Sequence, residues 1–157
     1  MMNFELTDWL LLILAALLVW AAVTDIRWRI IPNPLNLAVA LLAPVFWWSA
    51  GVELWPDVAM RIAAALVVFG LFAGLFYMGG MGGGDVKLAG ALALWFGVMT
   101  TVKFLVLTSL AGGVVSLITL IAHRRSKAEG KPEVPYGVAI AFGGLWLLAQ
   151  RFLNHFA

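Results

Sequence analysis

Two aspartates stand where an aspartate is expensive. Asp25 closes the first long apolar stretch of the chain, and Asp85 follows Gly82-Gly83-Gly84 between two others. An ionisable side chain at membrane depth costs enough free energy that it points to a function. Glycines let the backbone bend sharply and let neighbouring chain approach closely, so Gly82, Gly83 and Gly84 read as an active-site loop that carries Asp85. Two carboxylates brought to one place cannot both ionise cheaply, so they share a proton and titrate as a pair. The chemistry open to such a pair is hydrolysis of a peptide bond. The ionised partner takes a proton from water, the water attacks the carbonyl, and the protonated partner donates to the oxyanion and then to the leaving amine. The residue types do not say which aspartate is base and which acid. Lys87, two residues past Asp85, is a candidate to tune the pair or to meet an acidic group of a substrate.

Other chemistries find less support. The chain has no cysteine, which excludes a thiol nucleophile, a disulfide framework and a zinc–thiolate site. His123 and His155 stand alone on opposite predicted faces, so no metal site is expected. No Gly-Lys-Ser/Thr follows the glycines, which argues against a nucleotide-binding loop. Neither a cofactor nor a nucleic-acid partner is expected. Each motif also has a plainer reading. Asp25 would be a loop residue paired with Arg27 or Arg29, and Asp85 a turn residue paired with Lys87. The glycines would serve helix packing, as expected of Gly70 and Gly74 at small-xxx-small spacing.

The elements that must position these residues are membrane helices. Of 157 residues, 64% are hydrophobic and 11% charged, with a mean hydropathy of +1.01, whereas soluble domains hold roughly 45–50% apolar and about 25% charged residues. The composition implies one all-α integral membrane domain over residues 1–157. The acidic start of the chain does not suit a secretory signal, so the first apolar stretch is expected to be a retained helix. Six segments are predicted: 9–24, 35–50 with Pro44 inside, 58–77, 86–96, 101–121 and 138–152. An alternative merges the fourth and fifth into one broken element. Seven Lys and Arg residues (27, 29, 87, 124, 125, 127 and 131) fall in the loops of one side, against Arg61, Lys103 and Arg151 on the other. The positive-inside rule then puts the three basic loops in the cytoplasm and both termini outside, in a cytoplasmic (inner) membrane. Asp25 and Asp85 land at the cytoplasmic end. Trp9, Trp28, Trp47, Trp48 and Trp55 fall near predicted helix ends, as interface anchors do. The fourth segment is a dozen residues, roughly 18 Å of helix, in a hydrocarbon layer of about 30 Å. Asp85 is therefore expected below the cytoplasmic surface, in a water-accessible pocket.

Three motifs in this order resemble the type IV prepilin peptidases. Gly82-Gly83-Gly84-Asp85-Val86-Lys87-Leu88 is similar to the G-x-G-D-x-K-L signature of that family. Asp25 through Ile31-Pro32-Asn33 resembles its D-x-x-x-x-x-I-P-N segment, and Pro135-Tyr136-Gly137 its late P-Y-G motif. The resemblance implies a six-helix aspartic endopeptidase with Asp25 and Asp85 catalytic. It would cleave the short basic leader of prepilins or pseudopilins at the cytoplasmic face, just after a glycine. Long members of the family carry an N-terminal domain, often with four cysteines, associated with methylation. Here the first segment begins within ten residues, so the chain resembles the short branch of Flp-type, tight-adherence pilus systems, or the archaeal preflagellin peptidases. Methyl transfer and S-adenosylmethionine are not expected of it. Two rival classes are a small proton-coupled transporter, which would use intramembrane aspartates as relays, and a non-enzymatic membrane subunit of a secretion machine. The three segments before the glycine run do not resemble the three after it in motif or charge, which weighs against the transporter.

Overall fold

The computed structural model describes residues 5–126, 130 and 132–156, and of residues 155 and 156 only the backbone. Lys127 and Lys131 of the basic loop and the side chain of His155 lie outside the described residues. Among the described residues six α-helices follow one another: α1 (Leu6–Trp28), α2 (Asn33–Ser49), α3 (Ala59–Tyr77), α4 (Gly83–Ala93), α5 (Val98–Ser126) and α6 (Tyr136–Phe156). A wide turn, Leu54–Val58, leads into α3, and no strand occurs among the described residues. The protein is a multi-pass bundle. The stretches Leu6–Trp28, Leu54–Tyr77, Val98–Ser126 and Tyr136–Asn154 are long and apolar enough to cross a membrane. α2, with 17 residues, sits at the lower edge of the 17–25 range for a span.

The helices are apolar on both faces, because one face meets the core and the other meets lipid. In α1, Leu10, Leu11, Leu14, Leu18 and Ala21 are buried, while Leu12, Ile13, Val19, Trp20 and Val23 are exposed. Trp9, Trp28, Trp48 and Trp55 are exposed, as interface anchors should be. Trp47 is not one of them. It is partly buried, and its indole N–H donates to the carbonyl of Leu94 at 2.9 Å. Gly70 and Gly74 do not pack within the chain either, since a methyl group on each would meet nothing within 4 Å. Close packing falls instead to Gly90 against Phe69, Gly143 against Thr108 and Gly144 against Leu18 and Leu92.

α4 is the buried centre. Of its 11 residues, Asp85, Val86 and all of Leu88 to Ala93 are buried, and it packs against α2, α3 and α6. At roughly 16 Å it is too short to cross the layer, so its carbonyl end lies among the other helices. Carbonyls there lack helical partners and are met by protein donors. Trp47 supplies one to Leu94 at 2.9 Å, and Arg61 Nη1 supplies one to the Trp95 carbonyl at 2.7 Å. The buried Trp95 indole in turn donates to the Val39 carbonyl on α2 at 2.9 Å. α4 and α5 are separate helices joined by a tight turn at residues 94–97, so the merged element is not what forms.

The structure also moves the start of the fourth helix. α4 begins at Gly83 rather than at Val86, so Gly83 and Gly84 are helical and only Gly82 stands outside as the N-cap. The reason is Asp85 itself. Its carboxylate sits in the first turn and accepts the Gly82 backbone N–H at 3.1 Å, and a carboxylate at a helix N-terminus is favoured by the exposed amides and the helix dipole. The loop proper lies upstream, at residues 78–82, where Gly79 takes φ +73°, a conformation that glycine adopts at little cost.

Candidate active site

Three helix ends converge on one cleft. Asp25 lies in the last turn of α1, Asp85 in the first turn of α4, and residues 136–138 open α6. Asp25 and Asp85 are 4% and 7% exposed, yet both line a cavity of about 490 Å³. They therefore sit at the floor of a recess rather than on a solvated turn. The two carboxylates act on each other electrostatically across it, so ionising both at once is costly. The α6 amides of Gly137 and Val138 act on Asp25, and those of Gly82 and Gly137 act on Asp85. The Gly137 N–H thus faces both carboxylates. Oδ2 of Asp25 is buried without a hydrogen-bond partner in the protein, an acceptor free to take a proton or a water.

Local sequence explains how the three ends meet. α1 stops where Arg29 adopts a left-handed conformation (φ 54°) and its N–H returns to the Asp25 carbonyl at 3.0 Å. The chain then turns through Ile31-Pro32-Asn33. Pro32 caps α2 in an extended conformation and Pro34 occupies its first turn, where a missing N–H and a fixed φ carry no penalty. Ile31, buried, wedges between two glycines. A methyl group on Gly84 would stand 3.2 Å from Ile31 Cβ, and one on Gly137 would stand 2.7 Å from Ile31 Cδ1. Asn36 Nδ2 donates to the Gly84 carbonyl at 3.2 Å. The Ile-Pro-Asn segment is thus the part that locks α4 and α6 against the end of α1. Tyr136, on the cleft wall, is held by Ser116 Oγ on α5 at 3.3 Å.

Of the residues singled out in the sequence, Asp25, Asp85 and Gly82 share the cleft. Gly83 and Gly84 are helix-packing residues, against Phe76 and Ile31 respectively. Lys87 does not face the aspartates. It is on the far side of α4, where Nζ donates to Asn33 Oδ1 at 2.8 Å and the side chain lines an apolar groove of about 660 Å³ between α2, α3 and α4. Among the described residues the cation that lines the aspartate cleft is Arg29, which acts on Asp25, and Glu133 adds a further carboxylate to its wall. Arg29 entered the sequence reading only as a topology marker and a plain ion-pair partner; Glu133 carried no signal in sequence. No group of three or more His, Cys, Asp or Glu side chains suited to a metal occurs among the described residues.

The chain is 28% identical over 137 residues to a prepilin leader peptidase/N-methyltransferase of Bacillus subtilis, covering 83% of this chain and 51% of that protein. A protein of the same name from Xanthomonas campestris is 30% identical over 143 residues, covering 87% of this chain and 48% of its own length. Another from Aeromonas salmonicida is 33% identical over 143 residues, at 85% and 47%. The chain therefore spans about half the length of these curated relatives. No solved structure gives a significant match. The model of the type IV leader peptidase family matches residues 12–117, more than half of the chain and both aspartates, and the chain belongs to that family.

Proposed function

We propose that the protein is a membrane aspartic endopeptidase that removes the leader of type IV prepilins, of the Flp-like class, or of pseudopilins. Residues 1–157 act as one domain, in the cytoplasmic (inner) membrane, with the cleft open to the cytoplasm. The observation that carries the reading is that Asp25 and Asp85, from separate helices, are buried together at the floor of one recess. Membership of the leader peptidase family supports the substrate class. The basic loops at the aspartate end support the orientation.

In this reading one aspartate is ionised and its partner holds the shared proton. The ionised carboxylate draws a proton from a water seated between the two, and the water attacks the scissile carbonyl. The protonated carboxylate hydrogen-bonds to the developing oxyanion and then protonates the leaving amine. The amide of Gly137 keeps the pair in register, because it faces both carboxylates. The carboxylate pair supplies both the base and the acid that hydrolysis needs, so the reading invokes neither a covalent intermediate nor a cofactor. The apolar stem of the substrate would lie along the helices while its leader enters the recess from the cytoplasm.

The test is co-expression with a Flp-type prepilin, followed by intact-mass measurement of the pilin. A loss equal to the leader, seen only with this protein present, is the expected result. A pilin of unchanged mass would remove the proposal and return the aspartates to a relay or assembly role.

A further inference from the structure

A second polar cavity lies at the opposite membrane face, and its lining is unusual. It measures about 570 Å³ and sits between α3, α5 and α6. Arg61, Lys103 and Arg151 all line it, and among the described residues no carboxylate does. These three are the whole complement of Lys and Arg that the chain places on that side. Basic residues are disfavoured on the outer side of a membrane protein, and here the few present are gathered at one spot. Arg61 and Arg151 lie close enough for their charges to act on one another, although Asp57 acts on Arg61 more strongly. Glu5 and Asp8 line a separate, smaller recess that Arg151 also borders. One Arg61 nitrogen holds the Trp95 carbonyl, while Nε is buried without a partner. Leu11, Leu147 and Leu148 give the same cavity an apolar part.

We propose that this cavity binds a phosphate-bearing anion, its phosphoryl oxygens taken by Arg61, Lys103 and Arg151. Guanidinium groups match phosphate geometry in a forked, charge-assisted contact. The source is either the headgroup of an anionic glycerophospholipid, whose acyl chains would follow the apolar part, or free phosphate. The proposal does not depend on the peptidase reading, since neither aspartate takes part.

The experiment is thermal unfolding of the purified protein in detergent, titrated with phosphatidylglycerol, with phosphatidylcholine as the zwitterionic control. A parallel arm uses inorganic phosphate at ionic strength matched with chloride. Lys103 is exposed, so Lys103→Gln leaves the packing intact; Arg151→Gln also gives up the guanidinium over the Phe46 ring at 5.3 Å, so its half-saturation and not its starting Tm is the readout, whereas changing Arg61 would free the Trp95 carbonyl. The expected result is a saturable rise in Tm with phosphatidylglycerol or with phosphate. Half-saturation should weaken about fivefold for each cation removed, the equivalent of about 1 kcal/mol per basic residue. A rise with phosphatidylglycerol alone assigns the lipid, and a rise with phosphate at equal strength assigns the free ion. Arg124→Gln, at the other face, should leave half-saturation unchanged. No saturable rise beyond the controls, or an equal weakening by Arg124→Gln, would overturn the proposal.

Discussion

Gly137 is pressed against Asp25. A methyl group added at Gly137 would stand 2.8 Å from Oδ2 of Asp25 and 2.7 Å from Cδ1 of Ile31, closer than real contacts allow. The first turn of α6 can approach the end of α1 only because residue 137 has no side chain. The same backbone amide then faces both aspartates. Gly137→Ala should therefore displace the Asp25 carboxylate and slow leader removal by on the order of 100-fold, the scale of a 1 Å misplacement at a reacting group. Gly113 in α5 has nothing within 4 Å of such a methyl, so Gly113→Ala is the matched control and should keep wild-type activity. Specific activity per folded molecule in detergent checks both.

The glycines before Asp85 divide into two roles. A methyl on Gly82 would stand 3.1 Å from Oδ2 of Asp85, whereas one on Gly84 would meet Ile31 Cβ at 3.2 Å and its carbonyl oxygen at 3.3 Å. The first neighbour is a side-chain end and the second a rigid strip of backbone. Gly82→Ala should keep its fold and lose activity per molecule. Gly84→Ala should lose folded protein, seen as lower yield and a lower Tm, with the surviving fraction active. The opposite pattern would mean that Gly82 serves packing and Gly84 the chemistry.

Arg29 and Lys87 should separate cleanly. Arg29 lines the cleft and acts on Asp25, while Lys87 is held by Asn33 on the far side of α4. Arg29→Gln should lower the cleavage rate clearly, and Lys87→Gln should change it little. Initial rates on one prepilin decide it, and a larger loss at Lys87 would contradict the geometry.

Orientation can be tested with reporter fusions after Gly130 and after Asn154. The basic end of α5, with His123, Arg124 and Arg125 in its last turn, should face the cytoplasm, and the end of α6 should face outside. Reporters active on the same side would contradict the six-helix alternation.

Much of the fold was legible in the sequence because a bilayer imposes long apolar runs broken by turns. All six helices fall within a few residues of those runs, and Asp25 and Asp85 meet at one cleft. The start of α4 was not legible from composition. Three glycines read as loop, yet Asp85 three residues after Gly82 is itself a helix-start signal, and packing against Ile31 decides in favour of helix. Lys87 looked like a partner of Asp85 because it is two residues away. On a helix that spacing points the side chain to another face. Arg29 lies one helical turn past Asp25, where its backbone N–H meets the Asp25 carbonyl, so its place beside the aspartate is a local consequence of the helix end, whereas Gly137 reaches the carboxylates only through packing between distant segments. The Ile-Pro-Asn segment was visible as a motif, but its role as the wedge between Gly84 and Gly137 needed the folded chain.

If Asp25 and Asp85 work as one unit at the floor of the cleft, the decisive measurement is the mass of the prepilin co-expressed with Asp25→Asn or with Asp85→Asn. Both variants should insert at wild-type levels. Each alone should slow leader removal by a factor on the order of 10⁴, because members of an acid–base unit fail together. Substantial cleavage by either variant would contradict the account and take that aspartate out of the mechanism.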